Sequence, residues 1–291
     1  SLRIPYPQPR IPSVSTLFVE HLTVIDCAYL DAQRGLVGES WIVDVELEGD
    51  LDPQSMVLDF GEVKKRLKKA LDHSLDHSLL VPKHAAGLKL EQDLKGIKLL
   101  FPASGGAIEH HSPAVAISLL DCAEVTAASA VAYLEPRLRA LVPANVQQLR
   151  LHLRTERIEG AYYHYVHGLK KHAGQCQRIA HGHRSRVEIR VEGQRDSSLE
   201  NALARRWTDI YLGTREDIVA QDNGRIRFAY QAPEGYFELA LPEPRCDLLD
   251  TDSTVEQIAS HIARRAGGER LGQTIEVRAY EGVMKGAIAC S

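Results

Sequence analysis

In the segment from His164 to Gly193 (HYVHGLKKHAGQCQRIAHGHRSRVEIRVEG), His181 and His183 flank a single glycine. On an extended chain, positions i and i+2 face the same side. His167 lies upstream on what reads as the preceding strand of a hairpin, and placed opposite them it completes a set of three imidazoles. Three neutral imidazoles with a fourth position open suit a catalytic zinc, which polarises oxygen ligands and lowers their pKa. Cys176 lies between these histidines, where a nearby cation stabilises its thiolate. His164 and His172 share the segment as solvated side chains or substitute ligands. Spacing alone also allows an ordinary surface pair, because a short histidine motif acquires meaning only in its structural context.

The elements that must position this set occur twice along the chain. In the first half Trp41 to Glu48 (WIVDVELE) alternates as a strand does, a turn follows at Gly49 to Pro53, and Val57 to Leu71 carries apolar residues at helical spacing. In the second half Arg186 to Glu192 (RVEIRVE) alternates likewise, and Ser198 to Arg206 reads as a shorter helix. Each half then holds a hairpin, Leu88 to Leu120 and Asp209 to Leu241, the second with an Asn223-Gly224 turn signal. Helices resume at Val125 to Leu141, with Thr126 as N-cap, and at Ser253 to Arg265, where Ser253 and Glu256 have capping-box spacing. Strands at Val146 to Glu156 and Gln273 to Glu281 close the halves. The boundary falls near Arg157, with no Pro- or Ser-rich linker.

The 291 residues are 44% hydrophobic and 25% charged with a net charge of −4, which suits two globular units each burying its own core. No basic run accumulates, so nucleic acid is not an expected partner. The stretch SLRIPYPQPR lacks a signal-like apolar core, and no later stretch approaches a membrane span. The five cysteines form no CxxC pair and read as reduced thiols, so the expected location is cytoplasmic.

The histidine segment resembles the signature of the 6-pyruvoyl-tetrahydropterin synthase and 6-carboxy-tetrahydropterin synthase family. That signature runs aromatic-x-x-x-His, then a cysteine, then His-Gly-His at the start of a second strand. Tyr163 to His167, Cys176 and His181 to His183 match it in turn. The first half supplies the family's Leu-Asp-His at Leu75-Asp76-His77, with Leu71-Asp72-His73 as the competing register. Thr126 and Glu156 continue the likeness in that half, and Thr254 and Glu281 in the other.

The departures are complementary. Where the family has His-Gly-His, the first half reads Val37-Gly38-Glu39, with only His21 aligned to the first ligand, and Cys27 reads as a core residue. The second half has ENALARRWTDIYLG after its helix-forming segment, with no Asp-His pair.

The resemblance implies an α+β fold. It would comprise two tandem tunnelling-fold units, residues 1–157 and 158–291, each an antiparallel four-stranded sheet with two helices on one face plus an inserted β-hairpin. Units of this kind would assemble into an oligomeric β-barrel, making the chain a homo-oligomer. It also implies a zinc-dependent pterin synthase or lyase acting on dihydroneopterin triphosphate or a related reduced pterin. Zinc would sit on His167, His181 and His183, with Cys176, Asp76 and His77 as catalytic groups. Glu281, Glu156, Thr254 and Thr126 would bind substrate. The alternative is a family member that binds zinc and pterin without turnover.

Overall fold

The structure, a computed structural model, describes residues 14–291; the amino-terminal stretch read above for targeting signals lies outside the described residues. Alternating apolar residues make β1 (Val14–Asp31) and β2 (Gly35–Asp50) one long antiparallel hairpin. Its turn is held by the Asp31 carboxylate, which accepts from the Gln33 and Arg34 amides. α1 (Phe60–Ser74) starts at Asp59, whose carboxylate accepts from the Gly61 amide, and it buries Val63, Leu67 and Leu71. The chain returns as β3 (Leu79–Pro82), parallel to β1. It then leaves the sheet as β4 (Lys89–Asp93), β5 (Gly96–Phe101) and β6 (Ile108–Ser112), and rejoins it beside β3 as β7 (Ile117–Leu120). α2 (Ala127–Arg139) leads to β8 (Val146–Arg154), which pairs with the free edge of β2.

The second half repeats this course. β9 (Tyr162–His167) and β10 (His181–Val191) form the hairpin, and β11 (Gln194–Arg195) folds back on the end of β10. α3 (Ser197–Arg206) leads to β12 (Ile210–Thr214), parallel to β9. The excursion is β13 (Ile218–Asp222), β14 (Arg225–Ala232) and β15 (Gly235–Pro242), after which β16 (Cys246–Leu249) pairs with β12. α4 (Val255–Glu269), β17 (Ile275–Tyr280) and β18 (Gly286–Cys290) complete the unit.

Three features correct the sequence reading. The unit sheets are mixed rather than antiparallel and four-stranded, with orders β7-β3-β1-β2-β8 and β16-β12-β9-β10-β17-β18. A helix that carries the chain back along the sheet delivers the next strand parallel to the first, and such short strands show no alternation to read. The excursions are three-stranded, and they pair with each other through β15 and β6 into one six-stranded sheet ordered β13-β14-β15-β6-β5-β4. The cap of α4 is Thr254, one residue after the expected Ser253.

Three buried cores result. One lies between the first sheet and α1 and α2, and one between the second sheet and α3 and α4. The third joins both units to the shared sheet through Leu30, Val81, Phe101, Val166, Tyr211 and Phe237. The hairpins cross at equivalent glycines: a Cβ on Gly182 would lie 2.6 Å from Gly38 Cα and 2.6 Å from the Tyr165 carbonyl oxygen. Both obstacles are backbone and cannot rotate away, so Gly182→Ala forces the units apart. The expected cost is about 3 kcal/mol, the upper end for overpacking. Thermal denaturation checks it, with Gly268→Ala, which meets open space, as the control expected to lose no stability.

Candidate active site

The pairing of β9 with β10 sets His181 opposite His167 and His183 opposite Tyr165, so the three histidines share one face and are all buried. His167 Nδ1 donates to the Ser253 carbonyl at 2.8 Å, and His181 Nδ1 donates to the Arg178 carbonyl at 2.9 Å. A carbonyl only accepts, so in both rings the proton sits on Nδ1 and Nε2 keeps its lone pair. His183 Nδ1 lies 3.2 Å from Asp26 Oδ1, which favours the same tautomer. The Nε2 atoms of His167 and His183 approach to 3.2 Å, and the candidate ligand atoms of all three rings lie within 4.8 Å of one another. Burial first, and the neighbouring imidazoles second, push His167 and His181 well below the ordinary histidine range. Three buried rings, two of them with their outer nitrogens held by carbonyl acceptors, are what zinc requires, so the donor set fits that metal.

The first unit completes the site. α1 ends at Ser74 with Leu75 as its C-cap, and His77 takes a left-handed backbone (φ 52°) that turns its ring towards the second unit. The His77 amide donates to the Asp26 carbonyl at 2.7 Å, and the Asp76 carboxylate accepts from the Asp26 amide at 2.8 Å. The His77 ring centre then lies 4.9 Å from that of His181, and its Nδ1 lies 2.8 Å from Asp76 Oδ2. Donor atoms of His77, Cys176 and His181 also lie within 4.8 Å of one another. Burial opposes the charge on His77, but bonding to Asp76 and Cys176 outweighs it and raises its pKa to about 10. A ring so placed favours its protonated form and can give a proton to a group bound beside it. The competing register stays on the helix: Asp72 pairs with Lys68, and His73 Nδ1 donates to the Lys69 carbonyl.

Thr23, Lys68, Asp76, His77, Cys176 and Lys285 are among the residues lining a cavity of about 460 Å³. Glu281 does not line it, but the β17–β18 turn brings its Oε2 within 3.8 Å of Nζ of Lys285, which does. Glu156 is placed elsewhere, its Oε1 3.9 Å from Arg186 Nε and its Oε2 buried without a partner. The Thr126 and Thr254 hydroxyls accept from the amides of Ser129 and Gln257 as helix caps. His164 Nδ1 donates to the Gly38 carbonyl, and His172 Nδ1 accepts from the Gly174 amide, so neither joins the triad.

Sequence reasoning missed Asp26, Ser253, Arg178 and Lys285. Asp26 accepts from the Ser40 hydroxyl at 2.5 Å and lies 3.4 Å from Lys285 Nζ. Burial alone would raise its pKa, yet His183, Lys285 and Ser40 together hold it well below the usual carboxylate range. No spacing rule reveals such a residue, because it serves a histidine in the other unit.

The hairpins' equivalent positions define a mirrored location. Tyr29, opposite Val37, stands where His167 does, which replaces the expected alignment of His21; Val37 and Glu39 stand for His181 and His183. His21 lies instead near a register shift far along β1, its amide donating to Asp44. Asp209, also left-handed (φ 53°), stands for His77. Arg34 fills this location, bonding Asp209 through Nε at 2.9 Å and Nη2 at 2.6 Å and donating to the Tyr29 hydroxyl at 2.9 Å. Among the described residues, both groups of three potential metal ligands lie at the other site. The mirrored location therefore holds a fixed guanidinium paired with a carboxylate.

Fold and site together define a duplicated α+β protein with, among the described residues, one histidine and cysteine centre built from both copies. A profile of the family described as 6-pyruvoyl tetrahydropterin synthase matches residues 27–163 and again 157–289, and the chain belongs to that family as a tandem of two units. The 6-pyruvoyltetrahydropterin synthase of Plasmodium vivax is 18% identical over 48% of this chain and 98% of its own, with a TM-score of 0.38. That of Plasmodium falciparum is 20% identical over 49% and 98%, with a TM-score of 0.39. No curated protein matches the chain. Among the described residues, no helix is long and apolar enough to cross a membrane.

Proposed function

We propose that the chain is a zinc-dependent carbon–oxygen lyase of the 6-pyruvoyl or 6-carboxy tetrahydropterin synthase type, acting on dihydroneopterin triphosphate or a related reduced pterin. The observation that carries this reading is the meeting of His167, His181, His183 and Cys176 from residues 158–291 with Asp76 and His77 from residues 1–157. Each half lacks what the other supplies.

His167, His181 and His183 would hold the zinc, which when bound supplies polarisation of the substrate's side-chain oxygens and so acidifies the adjacent C–H. Cys176, as thiolate, takes the proton from that carbon. The electron pair so freed goes on to expel the triphosphate as the C–O bond breaks, and His77, kept charged by Asp76 and lying beside Cys176, gives a proton to the departing oxygen. Glu281 accepts hydrogen bonds from the ring's amino and N–H groups, a two-point match for a carboxylate. Among the described residues, the outer edges of β8 and of β18 are unpaired. We further propose that copies of the chain join along such edges into a closed barrel, since closure removes exposed strand edges.

Incubation with dihydroneopterin triphosphate tests the reading, with the products separated by chromatography. Release of triphosphate by the wild type, and its loss by at least about 100-fold in Cys176→Ala, is the expected result for removal of a general base. A wild type that binds the pterin with zinc present but converts none of it would favour the non-catalytic alternative.

A further inference from the structure

The excursions β4–β6 and β13–β15 are not accounted for by the proposed chemistry, yet the second of them bonds the end of the Cys176 loop next to the candidate metal ligands. This loop, residues 168–180, joins β9 to β10 and contains no regular element beyond a single short turn of helix at Gln175–Gln177. Its own bonds turn it locally: the Leu169 amide donates to the Cys176 carbonyl at 2.8 Å, the His172 amide to the Leu169 carbonyl at 2.9 Å, the Gln177 amide to the Gly174 carbonyl at 3.2 Å and the Arg178 amide to the Gln175 carbonyl at 3.0 Å. At its start Lys170 and Lys171 pair with Asp217 at 2.6 Å and Asp252 at 2.9 Å, and at its end the hairpin of β14 and β15 takes hold of Gln177 and Arg178. The Tyr230 hydroxyl donates to the Gln177 carbonyl at 2.8 Å, and the Glu234 amide donates to Gln177 Oε1 at 2.7 Å. The Glu234 carboxylate takes the Arg178 guanidinium on two prongs, Nε at 2.8 Å and Nη2 at 3.2 Å.

Arg178 is a junction. Its side chain is only 4% exposed, and its remaining prong donates to the Ser78 hydroxyl at 3.3 Å and the His77 carbonyl at 3.5 Å. Its own carbonyl receives the Nδ1 proton of His181. One guanidinium thus ties the second excursion to the His77 turn of the first unit and, through its backbone, to a candidate metal ligand. The first excursion supports the second in turn. β6 pairs with β15, and Glu109 receives Arg227 Nη2 at 2.7 Å and Arg225 Nη2 at 3.2 Å.

We infer that the shared six-stranded sheet is a brace, and that Glu234, Arg178 and Tyr230 are positioning residues that hold the Cys176 loop against His77 and His181. A buried guanidinium paired on two prongs is held rigidly, and loss of its carboxylate leaves a charge that must seek water. The loop then samples positions in which Cys176 and His77 no longer meet. The kinetic consequence rests on the lyase reading above; the consequence for loop motion does not.

The test uses Glu234→Gln and Tyr230→Phe in the full chain, with Glu234→Asp as the conservative variant. Tyr230→Phe removes one hydroxyl from an otherwise retained ring, so its fold persists even if Glu234→Gln proves unstable. Amide hydrogen exchange in residues 169–180 should speed by about tenfold in Glu234→Gln, the scale set by losing a charge-assisted bond. Exchange in β9 and β10 and the zinc content should stay at wild-type values. With dihydroneopterin triphosphate, kcat should fall about tenfold with KM unchanged, because positioning acts on the reacting geometry rather than on binding. Glu234→Asp should recover part of both effects. Faster loop exchange in a protein that shows no pterin turnover would uphold the brace and overturn the lyase reading. Wild-type exchange across the loop in both Glu234→Gln and Tyr230→Phe would overturn the brace.

Discussion

His181→Ala combined with His183→Ala will strip the protein of zinc while leaving it folded. The wild type, purified without added metal, should carry about one zinc per chain, as a three-histidine site does when its fourth position is open. Both side chains lie at the head of β10, whose pairing with β9 and β17 is made by backbone and does not depend on them. The second core, with Trp207, Ile258 and Val277, also remains intact. Far-ultraviolet circular dichroism should therefore superimpose on the wild type while metal analysis reads near zero. Turnover should fall by roughly 1,000-fold or more, since the polarisation that acidifies the substrate is lost with the ion. A double variant that unfolds would make the zinc structural, pinning a hairpin instead of serving a reaction. A wild type that takes up no zinc even on reconstitution would remove the lyase reading altogether.

The second large effect concerns where the site is built. His77→Ala should cost about 100- to 10,000-fold in kcat, the range for loss of a positioned general acid. Mixing His77→Ala chains with the His181→Ala/His183→Ala chains should restore nothing. Within a single chain the His77 and His181 ring centres are 4.9 Å apart, and the His77 amide bonds Asp26, whose carboxylate lies 3.2 Å from His183. Every partner that orients His77 is thus in its own chain, and each mixed chain keeps one broken half. Refolding the two variants together and assaying triphosphate release is the measurement. Recovery to about a quarter of wild-type activity would mean that the halves exchange between chains, as open interfaces allow.

The histidine triad was legible because its residues are local. His181 and His183 share a face by strand alternation, and His167 is brought opposite by the β9–β10 hairpin. Asp76 and His77 were legible through resemblance, though the choice between their register and Asp72-His73 needed the end of α1 and the left-handed turn at His77. Glu281 could be named from its place at the end of a strand, but its neighbour Lys285 could not. That pairing depends on the turn between β17 and β18.

By itself the sequence determined that the chain is a duplication, that one copy carries the three histidines and the thiol, and that the other carries the Asp-His pair. Alternation, helical spacing and motif order are properties of short stretches, so they survive without knowledge of the fold. The tertiary structure alone decided that β3, β7, β12 and β16 run parallel in their sheets, that the excursions merge into one sheet, and that Asp26 of one copy orients His183 of the other. It also showed that the lost site keeps its charge balance through Arg34 and Asp209. Several of these are contacts between segments 100 or more residues apart, as in the pairs of Arg34 with Asp209 and Arg178 with Ser78 and His77. Nothing in local spacing encodes such meetings, because they form only when two hairpins cross at glycines too close to admit a side chain.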